Sequence, residues 1–222
     1  MSTPQGVTRA MRRDARRNRD ALLCAARHAF AEHGLDAPLE QVARQAGVAI
    51  GTLYRHFPTR VELVQEIFAV KLQAWLDAAE KAVAMDDAWA GFCLYVETMC
   101  ELQAGDRGFN DLASIRLPDS ERIDGVQQRI IQLGGRIVAR AQQEGTLRAD
   151  VTHEDLAFVI WSHSRITQAT QGIAPNSWRR YLHLMLDAFR AERAHELPEP
   201  PLTHDQLYRA MLQLGGAGGC VG

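Results

Sequence analysis

Between Arg44 and Arg60 the chain concentrates side chains suited to gripping phosphate and touching base edges: the guanidinium groups of Arg44, Arg55 and Arg60, the hydroxyls of Thr52 and Tyr54, and the imidazole of His56. Guanidinium forks clamp phosphates or pair with guanine, while hydroxyls and ring N–H groups donate to phosphate oxygens. Gly51 lets a backbone come close to a bound surface, and Ile50 offers a methyl contact to thymine. The chemistry this set implies is non-covalent recognition of nucleic acid. Other reactive side chains do not assemble into a catalytic pattern. Ser162 adjoins His163, and His153 adjoins Glu154 and Asp155, but neighbours on one helix point in different directions and no oxyanion or nucleophile-elbow signature accompanies them. The glycine-rich 215–222 run has no strand before it and no helix after it, so it is no phosphate loop. Cys24, Cys93, Cys100 and Cys220 form no CxxC pair and have no histidine at zinc spacing, so no metal site, no cofactor and no enzyme activity are expected. Cys24 lies among Leu22, Leu23, Ala25 and Ala26, while Cys93 and Cys100 fall on one helix face, which makes apolar packing their default role.

The elements that must carry the cationic cluster are short helices. Residues 39–57 read LEQVARQAGVAIGTLYRHF. Leu39, Val42 and Ala43 recur at helical spacing, Gly47 supplies a left-handed residue, and Val48, Leu53 and Phe57 give a second helix its own apolar stripe. Two helices joined by so tight a turn form a helix-turn-helix, whose second helix enters the major groove. Here that helix presents Ile50, Gly51, Thr52, Tyr54, Arg55 and His56.

The rest of the chain also has helical period, so the fold class is all-α: a three-helix head followed by a six- to seven-helix body. Residues 1–10 read as a disordered arm. A first helix runs from about Met11 to His33, with Leu22, Leu23, Ala26 and Phe30 inward and Gly34 ending it. Thr59 and Glu62 form a capping box that opens a long helix to about Ala84. Asp86 and Asp87 open a fifth helix to near Gly105, residues 108–116 make a sixth, and Pro118 and Ser120 introduce a seventh that ends near Glu144. Gly134 and Gly135 inside it each cost about 1 kcal/mol relative to Ala, which predicts a kink or a close contact. Thr152 caps an eighth helix, Asn176 a ninth and Thr203 a last one, beyond the stiff LPEPP linker at 197–201, and the glycine tail is read as disordered. The domains are therefore 1–58, 59–196 and 197–222.

The total charge of −2 hides an asymmetry, because residues 1–60 hold ten Arg against five acidic side chains, leaving 15 basic against 22 acidic elsewhere. A cationic head suits phosphate contacts despite a near-neutral total. The basic N-terminus is not followed by an apolar core and no uncharged apolar run reaches membrane length, so a cytoplasmic protein without a membrane partner is expected.

The segments LLCAARHAFAEHG at 22–34, LEQVARQAGV at 39–48, GTLYRHF at 51–57 and PTRVEL at 58–63 resemble, in order, the DNA-binding head of the tetracycline-repressor (TetR) family. The resemblance implies a homodimeric, usually repressing transcription factor whose last two long helices pair in a four-helix bundle and whose body holds a small-molecule pocket. It implies base-edge or phosphate contacts by Thr52 and Tyr54, and phosphate contacts by His56 and by Arg60 at the start of the linking helix. Arg55 either reads a guanine or clamps the backbone. Pro38 and Ala49 stand where the family commonly has capping Thr and Ser, and Ile50 where it often has Lys or Arg. These losses shift expected affinity toward the N-terminal arginines, Arg44, Arg55 and Arg60.

For the body, Trp89, Phe92, Tyr95, Met99, Phe109, Trp161 and His163 are candidates to line the pocket, though aromatic stripes are more often core. His163 is equally an interior or interface histidine. Leu156, Ile160, Trp178, Leu182, Met185 and Phe189 are the expected dimer face. The resulting expectation is a repressor that binds a palindromic double-stranded DNA operator as a homodimer and is released by a small, partly apolar effector. The rival is a constitutive or architectural DNA-binding protein without an effector.

Overall fold

The computed structural model of the chain describes residues 4–114 and 121–216; among them are ten α-helices and no strand. In chain order they are α1 (Pro4–His33), α2 (Leu39–Gln45), α3 (Ile50–His56), α4 (Arg60–Ala84), α5 (Ala88–Gln103), α6 (Arg107–Ser114), α7 (Glu121–Gln143), α8 (Leu156–Thr170), α9 (Ser177–Ala188) and α10 (His204–Gly216). The all-α reading therefore holds, with two differences at the N-terminal side of helices. Residues 4–10, expected as a disordered arm, continue α1, and Pro4 suits its first position because the amide it lacks would have no partner there. A 3₁₀ turn over His153–Asp155 precedes α8, so Thr152 caps that turn, its N–H donating to Asp155 Oδ2 at 2.8 Å. Asn176 precedes α9 without making a side-chain cap bond. Pro118, Ser120 and residues 217–222 with Cys220 lie outside the described residues.

The head is built as its apolar spacing requires. Leu22, Ala26 and Phe30 of α1 bury against Leu39, Val42 and Ala43 of α2, with Leu53 and Phe57 closing the third side. Gly47 adopts φ +70°, the left-handed turn that aims α3 away from α2. Thr59 caps α4, accepting from Glu62 N–H at 3.2 Å.

No gap separates head from body. Phe30 stacks on Phe68 of α4 at 6.5 Å, and Phe68 meets Phe109 of α6 at 5.9 Å, so one apolar core runs through both. α6 lies unusually close to α1: a side-chain carbon on Gly108 would come within 2.9 Å of Phe30 and Phe68. Asp111 of α6 accepts the N–H of Leu35 at 3.0 Å. At the far end of α4, Arg140 of α7 donates to the carbonyls of Val83 at 2.9 Å and Asp86 at 2.7 Å, and so caps the helix that links the two regions. The glycine pair in α7 marks a close contact and no break in the helix. A carbon added at Gly134 would lie 2.4 Å from the His153 ring and 2.8 Å from the Tyr95 hydroxyl, whereas Gly135 faces open space.

Candidate functional site

On α3, Tyr54 is 46 % exposed and Arg55 and Gly51 are exposed, while Thr52 and His56 are half-buried. A side-chain carbon at Gly51 would meet no atom of the described residues within 4 Å, so no packing among them calls for glycine there. Ile50 is only half-buried but packs against the core, so its expected exposure is reduced. Arg55 folds along its own helix, with Nε donating to Gly51 O at 3.2 Å and Nη2 to Thr52 Oγ1 at 2.9 Å. Arg44 is exposed at the end of α2. Neither Pro38 nor Ala49 makes a side-chain cap bond, which leaves the first amides of α2 and α3 without a capping hydroxyl.

Arg60 does something else than expected. Its Nη1 donates to Leu35 O at 2.6 Å and to Ala37 O at 2.8 Å, so the guanidinium braces the α1–α2 turn instead of standing free beside a groove. A residue not singled out from sequence, Arg19, joins α1 to α4 through Glu66 at 2.9 Å and lies over the Phe57 ring at 5.3 Å. Further along α1, Arg13, Arg16 and Arg17 are exposed.

The body contains a small apolar cavity of about 70 Å³. Tyr95, Met99 and Trp161 line it, together with Trp75 of α4, Ile130 and Ile131 of α7, and Leu156 and Ile160 of α8. Trp75 stacks on Tyr95 at 6.1 Å, and its indole N–H has no hydrogen-bond partner among the described residues. The Tyr95 hydroxyl lies 3.4 Å from His153 Nε2, and burial pushes the phenol up and the imidazole down, so both stay neutral. Glu154 is at the cavity wall, and the wall is completed by His204, Leu207, Tyr208 and Met211 of α10.

Four expected pocket residues lie elsewhere. Phe92 is fully buried and meets Phe189 edge to face at 5.8 Å, and Phe109 is packed between Phe68 and Lys71. Trp89 lies in a separate surface groove under the Arg190 guanidinium, 4.2 Å away. His163 is interior, its ring edge-on to Trp178 at 5.1 Å with neither nitrogen partnered among the described residues; burial pushes its imidazole down to about 4. Ser162 turns the other way, accepting from the Tyr181 hydroxyl at 2.8 Å. These neighbours on α8 therefore cannot cooperate chemically.

The expected dimer face also divides. Leu156, Trp178 and Leu182 are buried in the protomer's own core, Ile160 lines the cavity, and Phe189 packs on Phe92. Of that set only Met185 belongs to the stripe that α8 and α9 turn outward, where Phe158 is 49 % and Leu184 55 % exposed beside half-buried Trp161, Tyr181 and Met185. Among the cysteines, Cys24 is exposed against expectation, Cys100 is buried, and half-buried Cys93 has its thiol pushed up to about 11, chiefly by burial, which keeps it from acting as a thiolate. No helix among the described residues is long and apolar enough to cross a membrane.

Comparison with known proteins places this geometry. Residues 22–67 match the family model described as bacterial regulatory proteins, tetR family, and residues 87–191 match the C-terminal domain of SbtR-like transcriptional regulators. Over 57 residues the chain is 39% identical to the uncharacterized HTH-type transcriptional regulator TtgW of Pseudomonas putida, a match covering 25% of this chain and 42% of that relative's length. The fold is similar to the ketosteroid transcriptional regulator KstR2 of Mycobacterium tuberculosis, with TM-score 0.57 and 19% identity over 79% of this chain and 95% of that one. It is similar also to the transcriptional regulator FadR of Bacillus subtilis in complex with stearoyl-CoA, with TM-score 0.53 and 18% identity over 75% of this chain and 96% of that one.

Proposed function

The chain belongs to the tetR family of bacterial regulatory proteins, transcriptional regulators with a DNA-binding helix-turn-helix and not enzymes, and from that premise we propose that it is an effector-released repressor acting as a homodimer on a palindromic operator. The observation that carries the reading is the outer surface of α3. Tyr54, Arg55 and a neighbour-free Gly51 face solvent together there, Thr52 and His56 flank them, and Arg44 and the exposed arginines of α1 stand on the same head. Tyr54, Thr52 and His56 supply phosphate and base-edge contacts, Arg55 swings off Thr52 onto DNA, and Ile50 packs on a thymine methyl.

A second protomer joins through the outward stripe of Phe158, Trp161, Tyr181, Leu184 and Met185, in which residues of α8 and α9 recur at helical spacing in the pattern of a bundle face. Pairing along this face sets two copies of α3 about 34–36 Å apart, one helical turn of DNA. A small, partly apolar effector takes the body cavity. Two of the solved structures with this fold are a ketosteroid regulator and a regulator in complex with stearoyl-CoA, which supports an apolar ligand class for the fold.

The test begins with DNA recovered on the purified protein from its own genome. Fluorescence anisotropy should then show preference for one palindrome over unrelated duplex by about 10³-fold or more, with a dimer-to-operator ratio of one. Equal affinity for unrelated duplex would favour an architectural DNA-binding protein and overturn the repressor reading.

A further inference from the structure

The last helix is an unusual wall for a ligand cavity. Not one described side chain on α10 is buried; Leu207 and Met211 are half-buried where they enter the cavity, and Tyr208, Leu212 and Leu214 are 46 %, 44 % and 50 % exposed. Elements with so little buried contact open at low free energy. Yet α10 needs no neighbour to remain a helix at its start, because Thr203 and Gln206 form their own capping box, with Thr203 N–H donating to Gln206 Oε1 at 2.9 Å and Gln206 N–H to Thr203 Oγ1 at 3.2 Å. Asp205 and Arg209 pair one turn apart on it. The semi-rigid 197–201 segment ties it to the body.

What α10 puts into the cavity has the form of a ligand. Leu207 and Met211 are its apolar part, and at the cavity mouth the largely exposed His204 places Nδ1 3.5 Å from the Glu154 carboxylate as its polar head. With α10 in place the void is about 70 Å³, far below the roughly 300–1,000 Å³ of drug-sized sites. An effector of ordinary size must therefore take the space of these side chains. Among the described lining residues Glu154 is the one acidic side chain, and none of them is a Lys or Arg that would receive a carboxylate or phosphate.

Building on the effector cavity proposed above, we propose that α10 is a built-in pseudo-ligand, and that the effector displacing it is an elongated apolar molecule with a cationic head that takes the place of His204 on Glu154. The effector's hydrocarbon body replaces Leu207 and Met211 against Trp75, Ile130 and Trp161, and α10 leaves on its linker as a solvent-exposed helix that frays beyond its capped first turn.

Three fluorescent rods of matched shape test both halves: diphenylhexatriene, its trimethylammonium derivative and its propionate, titrated into the full chain. The cation should bind the parent best and the propionate worst, and Glu154→Gln should abolish that order while leaving the neutral rod unchanged. A full-length Leu207→Ser/Met211→Ser variant should bind the cation about tenfold more tightly, because the competing docked state is depopulated. On the unaltered chain, the cation should also speed amide exchange over residues 204–214. Equal affinities for parent and serine variant, with no change in exchange, would overturn the pseudo-ligand and leave the cavity reading intact. Preference for the propionate would overturn the cationic class. If no rod binds either protein, the effector cavity itself falls.

Discussion

The two adjacent glycines of α7 should respond oppositely to the same substitution. Replacing glycine by alanine inside a helix gains about 1 kcal/mol when the new methyl meets nothing. Among the described residues no atom lies within 4 Å of that methyl at Gly135, so Gly135→Ala should stabilise the protein by about 0.5–1 kcal/mol. At Gly134 the methyl would lie 2.4 Å from two atoms of the His153 ring and 2.8 Å from the Tyr95 hydroxyl, closer than real contacts allow. Tyr95 is buried and stacked on Trp75, so its hydroxyl holds its place and the imidazole must give up its position beside it. Overpacking of this kind costs about 1–3 kcal/mol, and the upper end outweighs the helical gain, leaving Gly134→Ala about 2 kcal/mol less stable. For a chain of this length each kcal/mol moves Tm by about 2–4 °C, so the two variants should melt roughly 5–12 °C apart at matched concentration in scanning calorimetry. Because His153 and Tyr95 also line the cavity, Gly134→Ala should weaken binding of the trimethylammonium rod while Gly135→Ala does not. If Gly134→Ala melts at or above Gly135→Ala, the close approach of His153 to α7 is wrong.

Three further outcomes follow from the same geometry. Arg55→Ala should lower the salt dependence of operator affinity by about one unit for each phosphate that the side chain no longer neutralises, with Tm unchanged, whereas Arg60→Ala should reduce Tm by removing charged hydrogen bonds worth about 1.5–3 kcal/mol each; anisotropy against salt and calorimetry separate them. His163 is neutral in the folded chain down to about 4 against an ordinary 6.5, so the unfolded chain takes up a proton first as pH falls. Stability from this group is complete above about pH 6.5 and is lost toward pH 4, by at most about 3 kcal/mol, and urea titrations of His163→Met should show a shallower acid slope. A charge on the outward stripe, Phe158→Glu, should leave a folded monomer with little operator affinity in sedimentation and anisotropy, since burying an unpaired carboxylate in an interface costs several kcal/mol; a dimer that persists would move the interface elsewhere.

The head was legible because its signals are local. Gly47, the Thr59–Glu62 box and the Leu39, Val42, Ala43 spacing each depend on residues within a turn or two of one another, and the backbone has few other ways to satisfy them. The body was legible as helices but not as a cavity. Periodicity tells that Phe92, Tyr95 and Met99 share an inward face, yet whether such a face meets another ring or a void is decided by partners far along the chain. Phe92 meets Phe189, and Tyr95 meets Trp75 and His153. The same limit split α8 and α9. Each carries an apolar side toward its own core and another toward solvent, and the more strongly apolar one, holding Trp178 and Leu182, is internal. Arg60 could be placed on α4 from sequence, but the direction of its side chain depends on carbonyls 23 and 25 residues upstream.

If α10 is displaced as proposed, the joint between cavity and head is where that change would reach the DNA-binding helices. α10 rests on α6, whose Ala113 lines the cavity, and α6 reaches α1 through Gly108 and Asp111. Adjacency alone is no coupling; an element transmits when it has few intermediate positions. The Asp111 carboxylate, its pKa raised by burial, sits so close to Gly34 that a single added carbon there would lie 2.3 Å from its oxygen, while Gly34 itself holds φ +80°. Leu35 is gripped from both sides, its N–H by Asp111 and its carbonyl by Arg60. A shift of α6 relative to α1 would load this pair of bonds first. A hundredfold change in operator affinity requires about 2.7 kcal/mol, and one such bond is worth about 1.5–3 kcal/mol. Under the proposed effector mechanism, release of one such bond at this joint is of the size that the change in operator affinity requires.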